Sequence, residues 1–207
     1  LELISLTEVG FIYAMSTKPV NNIAALKNST NWIPSGDPVS RALLTALGIT
    51  PVQLSIPDVL SSLQSGLVDT VYNSFYGSII LQWFTRAKYI TDMPYGYAYG
   101  VFLLDGKSFA KLPEKYKELI HTAAAKHFPV LLEKTRVSNH DSRQVLIDRG
   151  VKFVKTDADT MRQLIESRDL SVKDLTKTAF SPEIYQQTIQ LLEKSRQDQS
   201  MQKGKDS

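Results

Sequence analysis

The stretch NWIPSGDPVSRALLTALGITPVQLSIPDVLSSLQSGLVDTVYN, residues 31–73, contains three strand-like segments separated by two helical ones. Asp37 is a favourable N-cap residue, Pro38 suits the first helical position, and Gly48 is a natural helix stop. Ser55 and Asp58 have the spacing of a capping box for the second helix. So close an alternation of strands and helices predicts parallel β-α-β units in an α/β fold.

The flanking segments extend this α/β pattern. Before the stretch, LELISL and FIYAMS read as two strands joined through residues 8–10, and after it YGYAYGVFLLD reads as a long apolar strand. One very long helical pattern runs from Pro113 to Gly150, with Pro129 expected to kink it. A short strand, VKFV, and two helices follow, and we expect the polar residues 193–207 to form a flexible tail.

Composition excludes several classes of protein. The 207 residues are 43% hydrophobic and 22% charged, which is typical of a globular protein, and the net charge of +3 is too small to indicate nucleic-acid binding. The sequence has no cysteine, so disulfides, thiolate metal sites and a cysteine nucleophile are excluded. No apolar run reaches the roughly 18 residues that a membrane-spanning helix needs.

We find no catalytic or metal-binding constellation. His121, His127 and His140 are not spaced to bind one metal ion from one helical face, and no acidic partner fits a ligand pattern. The sequence lacks a G-x-S-x-G elbow, and SGDP has too few glycines for a phosphate loop. The sequence therefore predicts a protein that is not an enzyme and holds neither metal nor cofactor.

The predicted strands end in residues suited to binding. Trp32, Ser55-Ile56 and Tyr72-Asn73 end three successive strands, and open α/β sheets bind ligands beyond the carboxyl ends of their strands. Each residue alone also has a structural explanation. Trp32 could be a core residue, Ile56 could pack as a hydrophobic staple at the helix start, and Asn73 could favour a turn. Their convergence at matched strand ends favours a binding site.

At these residues the sequence resembles the DctP-like extracytoplasmic solute receptors of TRAP transporters. ALGITPVQLSIPDVLSSLQSGLVDTVYNSFYG is similar to a family run that typically reads ALGA-x-P, then E-V-Y-x-A-L-Q-x-G-x-V-D-G-x-E-N-P. LPEKYKELIHTAA and GVKFV follow in the family's order and spacing. The resemblance implies a type II periplasmic-binding-protein-like fold, with two lobes joined by a hinge.

The resemblance also implies a division of the chain. Residues 1–14 would be a hinge strand from a first lobe absent here, 15–92 the second α/β lobe and 93–105 a return strand. Residues 106–150 would be a hinge-spanning helix, and 151–192 the C-terminal strand and helices.

The family's anion clamp is replaced. Family members usually carry an arginine in an R-x-P motif and often another in G-x-R, where they grip a ligand carboxylate. Here the first motif reads WIP, with Trp32 in place of its arginine. The second reads GFI, with Ile12 in place of its arginine. A cleft aromatic becomes Ile56, whereas the asparagine of E-N-P is retained as Asn73.

The resemblance, with these departures, implies a receptor for a neutral or hydrophobic solute. Its expected ligand-binding residues are Ile12, Trp32, Ser35, Ile56, Tyr72, Asn73 and Tyr76. Its implied partners are the TRAP membrane permease and a tetratricopeptide-repeat lipoprotein, and its implied location is the periplasm, with or without a lipid anchor. Nucleic acid is not an expected partner.

Two rival hypotheses stay open. The first is a carboxylate receptor of the same family in which Arg41 or Arg86 substitutes for the lost arginines. The second is an accessory or interaction module without a transport function. An enzyme is a weaker third hypothesis, because it would need a nucleophile or a metal set that the sequence does not show.

Overall fold

The computed structural model of the protein describes residues 1–203, with side chains as far as residue 198. Its strands are β1 (Glu2–Ser16), β2 (Trp32–Pro34), β3 (Val52–Leu54), β4 (Thr70–Asn73), β5 (Tyr89–Leu104) and β6 (Lys152–Val154). Its α-helices are α1 (Ile23–Lys27), α2 (Pro38–Ala46), α3 (Val59–Ser65), α4 (Phe75–Ile80), α5 (Gly106–Ala110), α6 (Glu114–Asp148), α7 (Ala158–Leu175) and α8 (Pro182–Lys203). None of these helices is long and apolar enough to cross a membrane.

The sheet is mixed rather than parallel throughout. Four strands are ordered β4-β1-β5-β6, in which β1 is antiparallel to both neighbours and β6 is parallel to β5. β2 and β3 form a parallel pair, which confirms the predicted β-α-β unit around α2. A parallel bridge between Asn31 and Thr70 places this pair beside β4.

The core has one layer on each side of the strands, because successive strand residues point to opposite faces. One layer contains Met15, Trp32 and Val71 with the apolar residues of α3. The other contains Ile33 and Met93 with residues of α1, α2 and α7. Neighbouring residues of β2 therefore belong to different layers.

Three predicted segments differ from the structure. LELISL and FIYAMS are one strand, β1, because register shifts at residues 8–10 and beyond bend it without ending it. The return strand expected at 93–105 begins earlier, at Tyr89, and the helix expected at 106–150 is divided into α5 and α6. Pro129 lies within α6.

The tail expected from residue 193 is helical for most of its length. α8 continues to Lys203, and residues 204–207 of the predicted tail lie outside the described residues. The polar composition of 193–203 is compatible with a solvated helix, which composition alone does not distinguish from coil.

β1 and β5 extend beyond the rest of the sheet as a two-stranded ribbon. β4 pairs only with residues 13–16 of β1, and β6 only with 89–91 of β5. The outer ribbon, residues 2–12 and 96–104, is thus paired only within itself in the described structure. α6 lies against it, with Phe128 stacked on Phe102 at 5.7 Å between ring centroids.

Candidate functional site

The Ile12 cavity lies where β2 and β4 end and α2 begins. It has a volume of about 340 Å³ and is closed on the remaining side by β1 and β5. The lining residues are Ile12, Ile33, Pro34, Asp37, Val39, Ser40, Leu43, Leu44, Tyr72, Tyr95, Gly96, Tyr97 and Ala98. Its position beyond the carboxyl ends of strands is the one at which α/β sheets bind ligands.

A chain of hydrogen bonds fixes the Tyr72 wall of the cavity. The Tyr72 hydroxyl donates to Asn31 Oδ1 at 2.6 Å, and the Tyr72 ring meets the Tyr95 ring edge-on at 5.6 Å between centroids. Asn31 is fully buried, and its Nδ2 donates to the carbonyl oxygens of Leu26 and Ser29 at 2.9 Å each. The buried side chain of Asn31 thus fixes the orientation of the Tyr72 ring.

The three tyrosines of the cavity are neutral. Burial raises the pKa of Tyr72 well above its ordinary value and that of Tyr95 to about 12. Burial, with a hydrogen bond to Glu8, also raises the pKa of Tyr97. The phenols therefore contribute aromatic surface and uncharged hydroxyls at neutral pH.

Three polar side chains that line the cavity, those of Asp37, Ser40 and Tyr72, are already hydrogen-bonded within the protein. Asp37 Oδ1 accepts from the backbone N–H groups of Val39 and Ser40 at 3.0 Å each, and Ser40 Oγ donates to Asp37 Oδ2 at 2.6 Å. What these side chains leave open to a ligand is mainly aliphatic and aromatic surface.

Ile12 and Tyr72 are the two predicted site residues that the structure brings together in this cavity. Trp32 is only 2% exposed: its indole packs edge-on against Trp83, and Nε1 donates to the Leu54 carbonyl oxygen at 3.1 Å. Trp32, which is predicted to contact ligand, therefore lies in the core of this structure and does not line the cavity. Strand alternation turns Trp32 into the core and presents the other face of β2, with Ile33, to the cavity.

The remaining predicted residues do not line the Ile12 cavity. Ser35 is an exposed turn residue, and Ile56 is 48% exposed at the start of a 3₁₀ turn. Asn73 Oδ1 accepts from its neighbour Ser74 N at 2.8 Å and fits against Gly77, which is a local turn role. Tyr76 is 39% exposed, and its backbone N–H donates to Asn139 Oδ1.

Neither arginine of the rival carboxylate hypothesis reaches the cavity. Arg41 is not among the lining residues of the Ile12 cavity and instead lines a more open cavity of about 620 Å³ between α2 and α7. Arg86 is exposed at the turn that precedes β5.

A third cavity holds arginines that are already paired. It has a volume of about 480 Å³ and lies between β1 and α6. Arg136 Nε and Nη2 donate to the two carboxylate oxygens of Glu8 at 2.8 and 2.7 Å, and Arg143 Nη2 donates to Asp92 Oδ2 at 2.8 Å. Both guanidinium groups thus already have a carboxylate partner within the protein.

Sequence reasoning missed most of the cavity wall, including Ile33, Asp37, Leu43, Tyr95 and Tyr97. The alternation of Tyr95, Tyr97 and Tyr99 along a strand could have indicated that tyrosines line a cavity. The sequence pattern around Asp37 indicates only a helix cap. Among the described residues there is also no group of histidine and carboxylate side chains arranged to hold a metal ion.

The comparisons with known proteins agree on one family. A sequence model described as bacterial extracellular solute-binding protein, family 7, matches residues 1–178. The fold is similar to that of a TRAP periplasmic solute-binding protein from Desulfovibrio salexigens with bound orotic acid, at a TM-score of 0.80 and 20% identity, over 93% of this chain and 61% of that one.

Two further solved structures show the same fold. One is a Bordetella pertussis extracytoplasmic solute receptor binding pyroglutamic acid, with a TM-score of 0.78 and 19% identity over 86% of this chain and 58% of that one. The other is a TRAP periplasmic solute-binding protein from Pseudomonas aeruginosa with bound L-malate. Its TM-score is 0.75, with 17% identity over 83% of this chain and 60% of that one. The chain thus spans about three fifths of the length of the structures it matches.

Proposed function

Because the chain belongs to the bacterial extracellular solute-binding proteins of family 7, which are transport receptors and not enzymes, we propose that it captures a small solute outside the cytoplasm. The captured solute would be delivered to the membrane permease of a TRAP system. Closure of two lobes about the hinge would hold the ligand, since a ligand that binds the closed state shifts the population toward it. A tetratricopeptide-repeat lipoprotein and a lipid anchor are compatible with this proposal.

We further propose that the solute is neutral or hydrophobic, and the lining of the Ile12 cavity carries this proposal. Its residues include no lysine, arginine or histidine, and the side chains of Asp37, Ser40 and Tyr72 are hydrogen-bonded within the protein. A carboxylate buried there without a partner would lose several kcal/mol of solvation. Apolar ligand surface gains about 25 cal/mol for each Å² removed from water.

The matched structures hold orotic acid, pyroglutamic acid and L-malate, so an organic acid is the natural competing hypothesis. The positions of Arg41 and Arg86 do not favour it. An arginine clamp for a carboxylate needs a guanidinium group at the ligand, and Arg136 and Arg143 are paired with Glu8 and Asp92. For this chain the apolar cavity supports a different ligand chemistry from that of these relatives.

The test is to extract the purified protein with organic solvent and identify the released small molecules by mass spectrometry. We expect an apolar or uncharged molecule from the wild-type protein and its loss from Ile12→Glu, which places a carboxylate in the cavity. Ile56→Glu is the matched control, because Ile56 is exposed and lies outside the cavity. An organic acid at stoichiometric yield would refute the proposed ligand class.

A further inference from the structure

We propose that Asp37 sets the charge selectivity of the Ile12 cavity by excluding anionic ligands. This inference rests on the proposed function and adds a specificity-determining residue to it. Asp37 is the one charged residue among those that line the cavity, and it lies between the end of β2 and the start of α2.

The geometry shows how the carboxylate occupies this position. Asp37 is the N-cap of α2, and its Oδ1 accepts from the first free backbone N–H groups of the helix, those of Val39 and Ser40. Its Oδ2 accepts from the Ser40 hydroxyl. The donors at this end of the helix, which would otherwise be available to an anionic ligand, are thus used by a carboxylate of the protein itself.

The consequence for ligands follows from charge. An anionic ligand in the cavity would lie near the Asp37 carboxylate, among apolar walls and without a cation in the lining. Two like charges that lie close together repel each other far more strongly in a partly desolvated site than in water. A neutral ligand of the same shape meets no such repulsion, so the cavity discriminates against negatively charged ligands.

The test compares two probes of similar shape, 2-naphthoate and 2-naphthylmethanol, by NMR of protein with ¹³C-labelled isoleucine and leucine methyl groups. Shifts of the Ile12, Ile33 and Leu43 methyls report binding in the cavity itself. Asp37→Asn removes the charge but retains a good N-cap residue. We expect the ratio of naphthoate Kd to naphthylmethanol Kd to fall by about tenfold or more in Asp37→Asn, which is about 1.4 kcal/mol.

Asp105→Asn is the matched control. Asp105 caps α5 by accepting from the Ser108 backbone N–H at 2.8 Å, but it does not line the cavity, so the ratio of the two Kd values should stay as in the wild type. An unchanged ratio in Asp37→Asn, with the alcohol still bound, would overturn the role of Asp37 and leave the proposed function standing. Methyl groups that respond to neither probe in any variant would overturn both.

Discussion

Trp32 shows how a residue can be decisive for stability at a position where a binding role is expected. Its indole is enclosed by Trp83 and the apolar residues of α3, and its one polar atom bonds to the Leu54 carbonyl oxygen. Truncating a buried tryptophan typically costs about 3–5 kcal/mol. An arginine there would in addition leave a guanidinium group without a carboxylate partner in an apolar core.

Trp32→Arg is therefore expected to lower the free energy of unfolding by more than about 4 kcal/mol without any gain in carboxylate affinity. Urea titration followed by circular dichroism measures the first effect, and calorimetry with malate measures the second. Ile56→Arg is the control and should change stability by less than about 0.5 kcal/mol, because Ile56 is half exposed. A stable Trp32→Arg protein that binds malate would show instead that position 32 faces ligand.

At this scale the candidate site was only partly predictable from the sequence. Ile12 and Tyr72 could be found because motif position and strand ends pointed to them. Trp32 could not be placed correctly, because a three-residue strand has no alternation long enough to show which face is buried. Asn73 and Ile56 have the right chain positions, but local turn geometry directs them away from the cavity.

Among the elements, α6 is fixed to the sheet by three polar side chains on one face. Arg136 bonds to Glu8 of β1, Asn139 bridges the Val9 carbonyl oxygen and the Tyr76 N–H, and Arg143 bonds to Asp92 of β5. Gly10 permits this contact, since its φ of +107° suits glycine and a Cβ would lie 2.8 Å from Asn139 Nδ2.

The Glu8–Arg136 pair should make stability depend on pH. The hydrogen bonds from Arg136 hold the pKa of Glu8 below its usual value of 4.5. A carboxylate with a lowered folded-state pKa contributes stability that is present above the unfolded-state pKa and is lost as pH falls through the folded-state pKa. Glu8→Gln should therefore be less stable than the wild type at neutral pH, with the difference disappearing in acid.

Thermal unfolding followed by circular dichroism from neutral to acidic pH measures this difference. Glu114→Gln is a suitable control, because Glu114 forms an exposed pair with Lys117 within one helix. If the difference in unfolding temperature between the wild type and Glu8→Gln persisted unchanged at acidic pH, it would contradict the assignment to this ion pair.

The helices were easier to predict than the strands. Asp37, Pro38 and Gly48 correctly bracket α2, because caps act locally. The continuity of β1 and the mixed strand directions depend on partners distant in sequence, which local patterns do not encode. The β2–α2–β3 unit was predictable as parallel, since its strands are joined by a short helical crossover.

The molecule as a whole divides into a packed α/β body and the outer ribbon. Exposed apolar side chains cover much of the ribbon, namely Leu3, Leu6, Phe11, Tyr97, Tyr99, Val101 and Leu103. A two-stranded sheet alone is marginally stable in water, and the ribbon is supported in the described structure by α6 on one side.

Amide hydrogen exchange should reveal this division. We expect the amides of residues 2–8 and 99–104 to exchange at least about tenfold faster than the paired amides of residues 13–16 and 89–91, which lie within the four-stranded part of the sheet. Mass spectrometry of peptic peptides resolves the two groups. Equal protection along the whole of β1 and β5 would mean that ribbon and body open as one unit.

The pairing of β1 with β5 also constrains the order in which the chain can fold. Glu2 pairs with Leu104 and Ser16 with Tyr89, so the central strand pair closes only after the intervening α/β segment has been synthesised. Long-range pairing of this kind slows folding, whereas the β2–α2–β3 unit can form from nearby residues. During synthesis β4 can pair with residues 13–16 of β1, but residues 2–12 have no partner among the described strands until β5 emerges. These residues are therefore the part of β1 where a chaperone has most to protect.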